Sequence, residues 1–389
     1  MPGSILSIAE NSRTEEPETM PNEISDTLAA EPASVRPVRL PAEPMQPVTD
    51  PADWTGADLE RNKDWQFALT DAEIAEIDAA VADVRARGLD IKDITLEDFP
   101  LPTLDAKLAE IKRQVLDGRG VSLLRGIPVD RYDMAEAAAA YWGIGLRVGT
   151  PVSQNHNGHL LGHVYDLVGP SRDAPSTRAY HTSAYLNYHS DSSDVVGLLC
   201  LRPAKTGGLS SVASSVAIYN EMLRRRPDLV AELIKPWYRD RRNEIPPGKD
   251  PWFELPVFCF AEGYFSCSWH NFYIRSTQRF EALPRFTPAQ IEALDMMDIL
   301  ADELKHETDF RPGDIQFLHN HVIVHGRTRY EDWPEDDRKR HLLRLWLATP
   351  GGRPLPEAVL ERYVGLKPGQ RPAGIMVEGT ELKTPLTPE

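Results

Sequence analysis

The chain has 389 residues, 41% hydrophobic and 8% aromatic, enough for a sizeable core and too apolar for a wholly disordered protein. Its 43 Lys+Arg against 59 Asp+Glu give a net charge of −16, which excludes a general nucleic-acid binder, because phosphate backbones need a basic face. The 33 prolines, about 8% against a typical ~5%, call for a Pro-rich tail, a loop-rich core, or both.

In chain order, residues 1 to 53 hold nine prolines with many Ser, Thr and Glu and no apolar periodicity, which predicts a disordered arm. Order is expected from Trp54. Thr70 and Glu73 form a capping box, and Ile74, Ile77, Val81 and Val84 recur at helical spacing until Gly88. A second helix is predicted from Thr103, with Leu104, Leu108, Ile111 and Val115 on one face and Gly118 as terminator. Residues 54–118 thus read as a helical segment packed on the core. Gly120 to Val129 is a buried-strand candidate, and Asp133 with Glu136 caps a third helix through the Ala135–Tyr141 stretch.

Beyond residue 145 the texture changes to short β-like runs between Gly, Pro and Asn: 159–168, 195–203, 209–214, 257–269, 314–325 and 341–350. Two helical insertions interrupt them, one from Ser215 to Arg226 ending at Pro227, the other opening at Thr287-Pro288 with Gln290 closing the cap. The expectation is a mainly β, α+β chain: one jelly-roll domain over 119–389 with helical insertions. Cys200, Cys259 and Cys267 form no C-x-x-C pair and read as free thiols in a reducing compartment. The N-terminus lacks the pattern of a signal peptide, and the longest apolar run, Val195 to Leu201, is too short to span a bilayer. A cytoplasmic protein with a small-molecule partner and no membrane partner is expected, with self-association into a homo-oligomer left open.

Among eleven histidines, only His189 has a carboxylate two positions on, in Tyr188-His189-Ser190-Asp191. Alone the pattern is worthless, since one or two such matches arise by chance. A second cluster, His319, Asn320, His321 and His325, lies on a run whose Val322, Ile323 and Val324 argue for a strand ending at Gly326-Arg327. An H-x-D turn plus a distant strand-end histidine makes a 2-His-1-carboxylate set, His189, Asp191 and His325. It would leave three positions open on Fe(II), or serve a zinc hydrolase. A non-catalytic jelly-roll module binding metal or small anions is a third reading. Arg340 and Arg344 sit four apart in an apolar strand-like run and so share a face, as a bidentate site for a carboxylate or sulfonate. Gly207-Gly208 allows a tight turn, after which Ser210 opens a strand with its hydroxyl available to the same anion.

These pieces together resemble the taurine dioxygenase-like family of Fe(II)/2-oxoglutarate-dependent oxygenases, in family order. They are His189-x-Asp191, the GG-x-[S/T] turn ending at Ser210, Asn320 in N-x4-H-G-R with His325, and the R-x3-R pair Arg340 and Arg344. The match covers about residues 120–350. The resemblance implies a double-stranded β-helix core, Fe(II) bound by His189, Asp191 and His325, and 2-oxoglutarate and O2 as co-substrates. It also implies Arg340, helped by Ser210, as anchor of the distal 2-oxoglutarate carboxylate, and Arg344 as holder of a substrate anion, with Arg344 as the alternative 2-oxoglutarate anchor. Ser stands at 210 where Thr is more usual, and the loop from His325 to Arg340 is longer than in the taurine enzymes. The implied reaction is hydroxylation of a C–H bond in a small organic acid or amino-acid-like molecule, with release of succinate and CO2. Asp191 favours hydroxylation or desaturation over halogenation, because halogenating relatives have a small residue there. Further substrate-contact candidates are Gln154, Asn155, Tyr188, Trp269 and His270.

Overall fold

Thr70 and Glu73 do close a capping box: Glu73 N donates to Thr70 Oγ1 at 3.3 Å and Thr70 N to the Glu73 carboxylate at 2.7 Å. Helix α1 (Asp71–Ala86) follows, burying Ile77, Val81 and Val84. Next come α2 (Asp105–Asp117), ended by Gly118, and α3 (Met134–Val148), capped by Asp133 and Glu136. Helix α3 runs past Tyr141 because Trp142, Ile144 and Val148 continue its buried face. The computed structural model describes residues 38–389 apart from 170–180, 243, 246–247, 362–369, 373 and 376–378.

Eleven strands make two sheets: β1 (Gln66–Ala68), β2 (Val121–Arg125), β3 (Thr150–Val152), β4 (Leu161–Tyr165), β5 (Leu186–His189), β6 (Val195–Arg202), β7 (Ser210–Ser214), β8 (His306–Thr308), β9 (Ile315–His319), β10 (Ile323–Arg327) and β11 (His341–Ala348). The seven-stranded sheet has the order β1-β2-β9-β6-β11-β3, with β4 also paired to β11; apart from the parallel β1–β2 pair its ladders are antiparallel. The four-stranded sheet, β8-β7-β10-β5, is antiparallel throughout.

Alternation along the strands sorts the core. On the larger sheet, Leu124, Val195, Leu199, Phe317, Leu343, Leu345 and Leu347 pack under α1, α2 and α3. Their neighbours Leu123, Val196, Cys200, Leu318, Leu342 and Trp346 face the other way and share a cluster with Val212, Ala213 and Val324 of the smaller sheet. That cluster extends to α4 (Ser215–Arg225), α5 (Pro227–Leu233) and α6 (Pro288–Leu304).

Three local expectations need correction. Residues 38–53 are not a loose arm: Val48 and Ala52 are buried, and Asp50 forms a fully buried ion pair with Arg353 at 3.0 Å. The earlier residues of that arm lie outside the described ones. Pro227 does not simply stop α4 but takes the first position of α5, where its missing N–H costs nothing. The run 314–325 is two strands broken at Asn320, and 257–269 is a hairpin, Phe258–Ala261 with Tyr264–Cys267, turned at Glu262-Gly263 where both φ values are positive. The described residues form one compact unit.

Candidate metal and anion site

His189 ends β5 and His325 lies within β10, in a register that sets the two directly opposite each other. Opposed residues project to one face of a sheet, and the two imidazole centroids stand 4.3 Å apart. Just past the end of β5 the chain turns and brings in Asp191. Its Oδ1 is 3.7 Å from His189 Nε2 and its Oδ2 is 3.7 Å from His325 Nε2. Asn320, in the break between β9 and β10, holds that turn: its Oδ1 accepts from Asp191 N at 3.1 Å while its Nδ2 donates to the Ser193 carbonyl at 3.1 Å.

Protonation suits metal binding. His189 Nδ1 lies 2.9 Å from the Asn187 carbonyl, which can only accept, so Nδ1 carries the proton and Nε2 a lone pair. Burial pushes His325 down to about 3, reinforced by His189 beside it, so its ring is neutral. Burial alone would raise the Asp191 carboxyl, but Arg344, His325, His189 and a hydrogen bond from Trp346 hold it below the usual carboxylate range. Two imidazoles and a carboxylate, with ligand atoms within 4.8 Å of one another, fit Fe(II) bound on one face. This is the one such cluster among the described residues.

Arg340, just before β11, and Arg344, within it, both point into the space between the sheets, because alternation sends Leu343, Leu345 and Leu347 to the helices. Arg340 is 4% exposed; its Nη2 donates weakly to the Gly208 carbonyl at 3.4 Å and its Nη1 is buried without a partner. The Tyr330 ring lies 5.3 Å from its guanidinium, with a hydroxyl that is also buried and unpartnered. Burial draws the Arg340 pKa down, as expected for a cation lacking its anion. Gly208, at φ +72°, is required here: a Cβ would come within 3.0 Å of Arg340 Nε. Ser210 Oγ donates to Gln316 Oε1 at 2.8 Å, leaving the Gln316 amide nitrogen buried without an acceptor in the same space.

Arg344 is nearer the metal ligands. Its Nη1 is 3.7 Å from Asp191 Oδ2 and its Nε donates to Gln154 Oε1 at 2.7 Å. Gln154 in turn donates to the Arg344 and Leu160 carbonyls at 2.8 and 3.0 Å. Gln154, Asn155, Arg344, His159 and His163 line a small recess together with Pro385 and Glu389.

Two candidates stand elsewhere. Tyr188 points to the opposite side of β5 from His189 and is buried in the apolar cluster. Trp269 is completely buried, its indole N–H donating to Asp298 of α6 at 3.3 Å. The next residue, His270, is the one near the metal ligands: its ring lies 5.5 Å from His189 and stacks on Tyr273 at 3.6 Å. Sequence reasoning missed Trp346, whose Nε1 donates to Asp191 Oδ2 at 2.8 Å. Its signal was the strand period, since it follows Arg344 by two.

Comparison with known proteins agrees with this geometry. Residues 86–346 match the model of the family described as taurine catabolism dioxygenase TauD, TfdA family. FR-33289 synthase of Streptomyces rubellomurinus is 32% identical over 335 residues, covering 84% of this chain and 98% of that protein. Taurine hydroxylase-like protein SAT17 of Stachybotrys chartarum is 31% identical, covering 78% and 82%. Among solved structures, an asparagine oxygenase in complex with Fe(II), a hydroxyasparagine and succinate superposes with a TM-score of 0.58 at 18% identity, over 80% of this chain and 99% of that one.

Proposed function

This chain belongs to the TauD/TfdA family and is an Fe(II)- and 2-oxoglutarate-dependent dioxygenase, and from that premise we propose that it hydroxylates a C–H bond of a small organic acid whose anion is held at Arg344. The observation that carries the proposal is the pair of arginines on one inward face, Arg344 3.7 Å from Asp191 of the metal triad and Arg340 buried with its Nη1 unpartnered. Bound Fe(II) with 2-oxoglutarate and O2 supplies the oxidising chemistry: 2-oxoglutarate becomes succinate and CO2, taking one oxygen atom, while the other enters the substrate C–H bond.

The chain's own residues hold and orient. His189, Asp191 and His325 hold the metal, with the Asn187 carbonyl fixing the His189 tautomer and Asn320 fixing the Asp191 turn. Arg340, with its buried Nη1, takes the distal 2-oxoglutarate carboxylate, supported by Tyr330. Ser210 joins this site by turning its hydroxyl from Gln316 to the carboxylate. Arg344, oriented by Gln154, faces a substrate anion across the recess that Asn155 helps to line. Polar side chains beside Arg344 suit an amino-acid-like acid. The two sheets sharing one cluster support a double-stranded β-helix core, with α1, α2 and α3 on the outer face of the larger sheet.

The test is succinate formation from 2-oxoglutarate with Fe(II), coupled to O2 uptake, across a panel of small carboxylates, sulfonates and phosphates. At least one acid is expected to stimulate turnover and to gain one oxygen atom. No iron-dependent succinate under any condition would sink the oxygenase reading, and hydrolysis with Zn(II) in its place would favour a zinc hydrolase.

A further inference from the structure

The two oxygens of Asp191 stand in different surroundings, and Trp346 makes the difference. Each oxygen has one ligand imidazole 3.7 Å away, Oδ1 that of His189 and Oδ2 that of His325, but only Oδ2 also accepts the indole N–H of Trp346 at 2.8 Å and lies 3.7 Å from Arg344 Nη1. Trp346 is itself held firmly. It is 5% exposed, pairs with Val152 on one side and Val196 on the other, and packs its ring 5.1 Å from the Arg344 guanidinium. An indole offers one donor and no acceptor, so this contact exists only while Oδ2 presents a lone pair.

A carboxylate ligand has two ways to bind a metal. Through one oxygen it takes a single position; through both it takes two. The second mode would occupy one of the three positions that the co-substrate and O2 require on a 2-His-1-carboxylate site. Groups that hydrogen-bond a ligating carboxylate set its orientation, and losing them typically costs 10–100-fold in metal affinity or activity.

We infer that Trp346 is a positioning residue that, with Arg344, holds Oδ2 of Asp191 away from the metal, so that the carboxylate binds through Oδ1 alone and three positions stay open. The inference rests on the oxygenase reading above. Nothing in the N-x4-H-G-R or R-x3-R patterns contains this residue; it follows from the strand period and the 2.8 Å contact.

Trp346→Phe tests it, keeping an aromatic ring in the strand while removing the N–H. Under anaerobic conditions, Fe(II) with 2-oxoglutarate is expected to give a weak visible charge-transfer band in the unaltered protein. In the variant, half-development of that band should need roughly tenfold or more 2-oxoglutarate, with an unchanged melting temperature. Equal titrations of the two proteins would overturn the role of Trp346 and leave the oxygenase reading standing. No band in the unaltered protein would overturn both. A second measurement needs no variant. In ¹⁵N-indole-labelled protein, one of the eight tryptophan N–H signals should resist solvent exchange with Zn(II) bound and be the one most broadened by Mn(II). Rapid exchange of that signal in the Zn(II) form would overturn the inference even if the variant failed to fold.

Discussion

At the scale of single residues, the metal triad and both arginines were legible because each is a rare residue type in a setting that its chemistry does not otherwise explain. A buried arginine needs an anion, and Arg340 is found buried with Nη1 unpartnered. Arg340→Ala should therefore raise the 2-oxoglutarate concentration for half-maximal succinate formation by roughly two orders of magnitude, the usual scale for removing one member of a buried charge pair. Arg344→Ala should act mainly on the acid substrate; the reverse pattern, read from the same two titrations, would exchange their roles. Trp269 and Tyr188 show where residue type alone misleads. Both are aromatic neighbours of site residues in sequence, yet alternation along an extended chain sends neighbours to opposite faces, and both are core. Trp346 was overlooked for the converse reason: an aromatic in an apolar strand has core packing as its ordinary explanation, and only the 2.8 Å contact with Asp191 distinguishes it.

At the scale of elements, helix caps and the apolar strand runs could be read directly, since α1, α3 and α6 begin at capping boxes formed by neighbouring residues. Strand β5 was not legible. Its four residues, Leu186–His189, are too short a run to stand out from the polar sequence around them and are a strand because β10 pairs with them. Nor could sequence locate the break at Asn320, whose side chain is committed to the distant Asp191 turn. The β5–β10 pairing is what sets His189 opposite His325, and Gly326 permits it. A Cβ at Gly326 would lie 2.6 Å from the Leu186 carbonyl. Gly326→Ala should force these strands apart, destabilising the protein by about 1–3 kcal/mol in denaturant unfolding. Fe(II) affinity should fall with it; a variant with wild-type metal affinity would show that the pairing does not set the ligand geometry.

For the molecule as a whole, two buried networks join distant stretches of chain. The first is Asp50 with Arg353, which pins residues 38–53 to the body, helped by a bond from Arg39 Nε to Asp50 at 2.8 Å. Asp50→Ala would leave the Arg353 charge buried and should cost about 3–5 kcal/mol, measurable as a lower denaturant midpoint at constant slope. The second runs through histidines. Because the Pro385 carbonyl accepts from His163 Nε2 at 2.8 Å, His163 Nδ1 must accept from His341 Nε2 at 2.7 Å, and His341 Nδ1 from Arg202 at 3.4 Å. Burial, with His163 and Arg202 nearby, pushes His341 down to about 3. The unfolded chain, with a histidine pKa of about 6.5, then binds the extra proton. The stability is present above that value and is lost as pH falls toward 3, by about 2 kcal/mol between pH 7 and 5. Urea midpoints should drop over that interval and drop less in His341→Gln; parallel curves for the two proteins would refute the assignment. The proline excess divides accordingly, part of it in a segment that packs on the body and part in turns of the β core. The same histidine chain ends on the Pro385 carbonyl, and Pro385, with Glu389, borders the recess beside Arg344 although both lie beyond the span matched by the family model. Only the Pro385 and Glu389 edge of that recess comes from outside the family span; the rest of its lining lies within it. If that recess takes the substrate, as proposed, substitutions at Asn155, Pro385 and Glu389 should redirect substrate choice while leaving the metal triad intact.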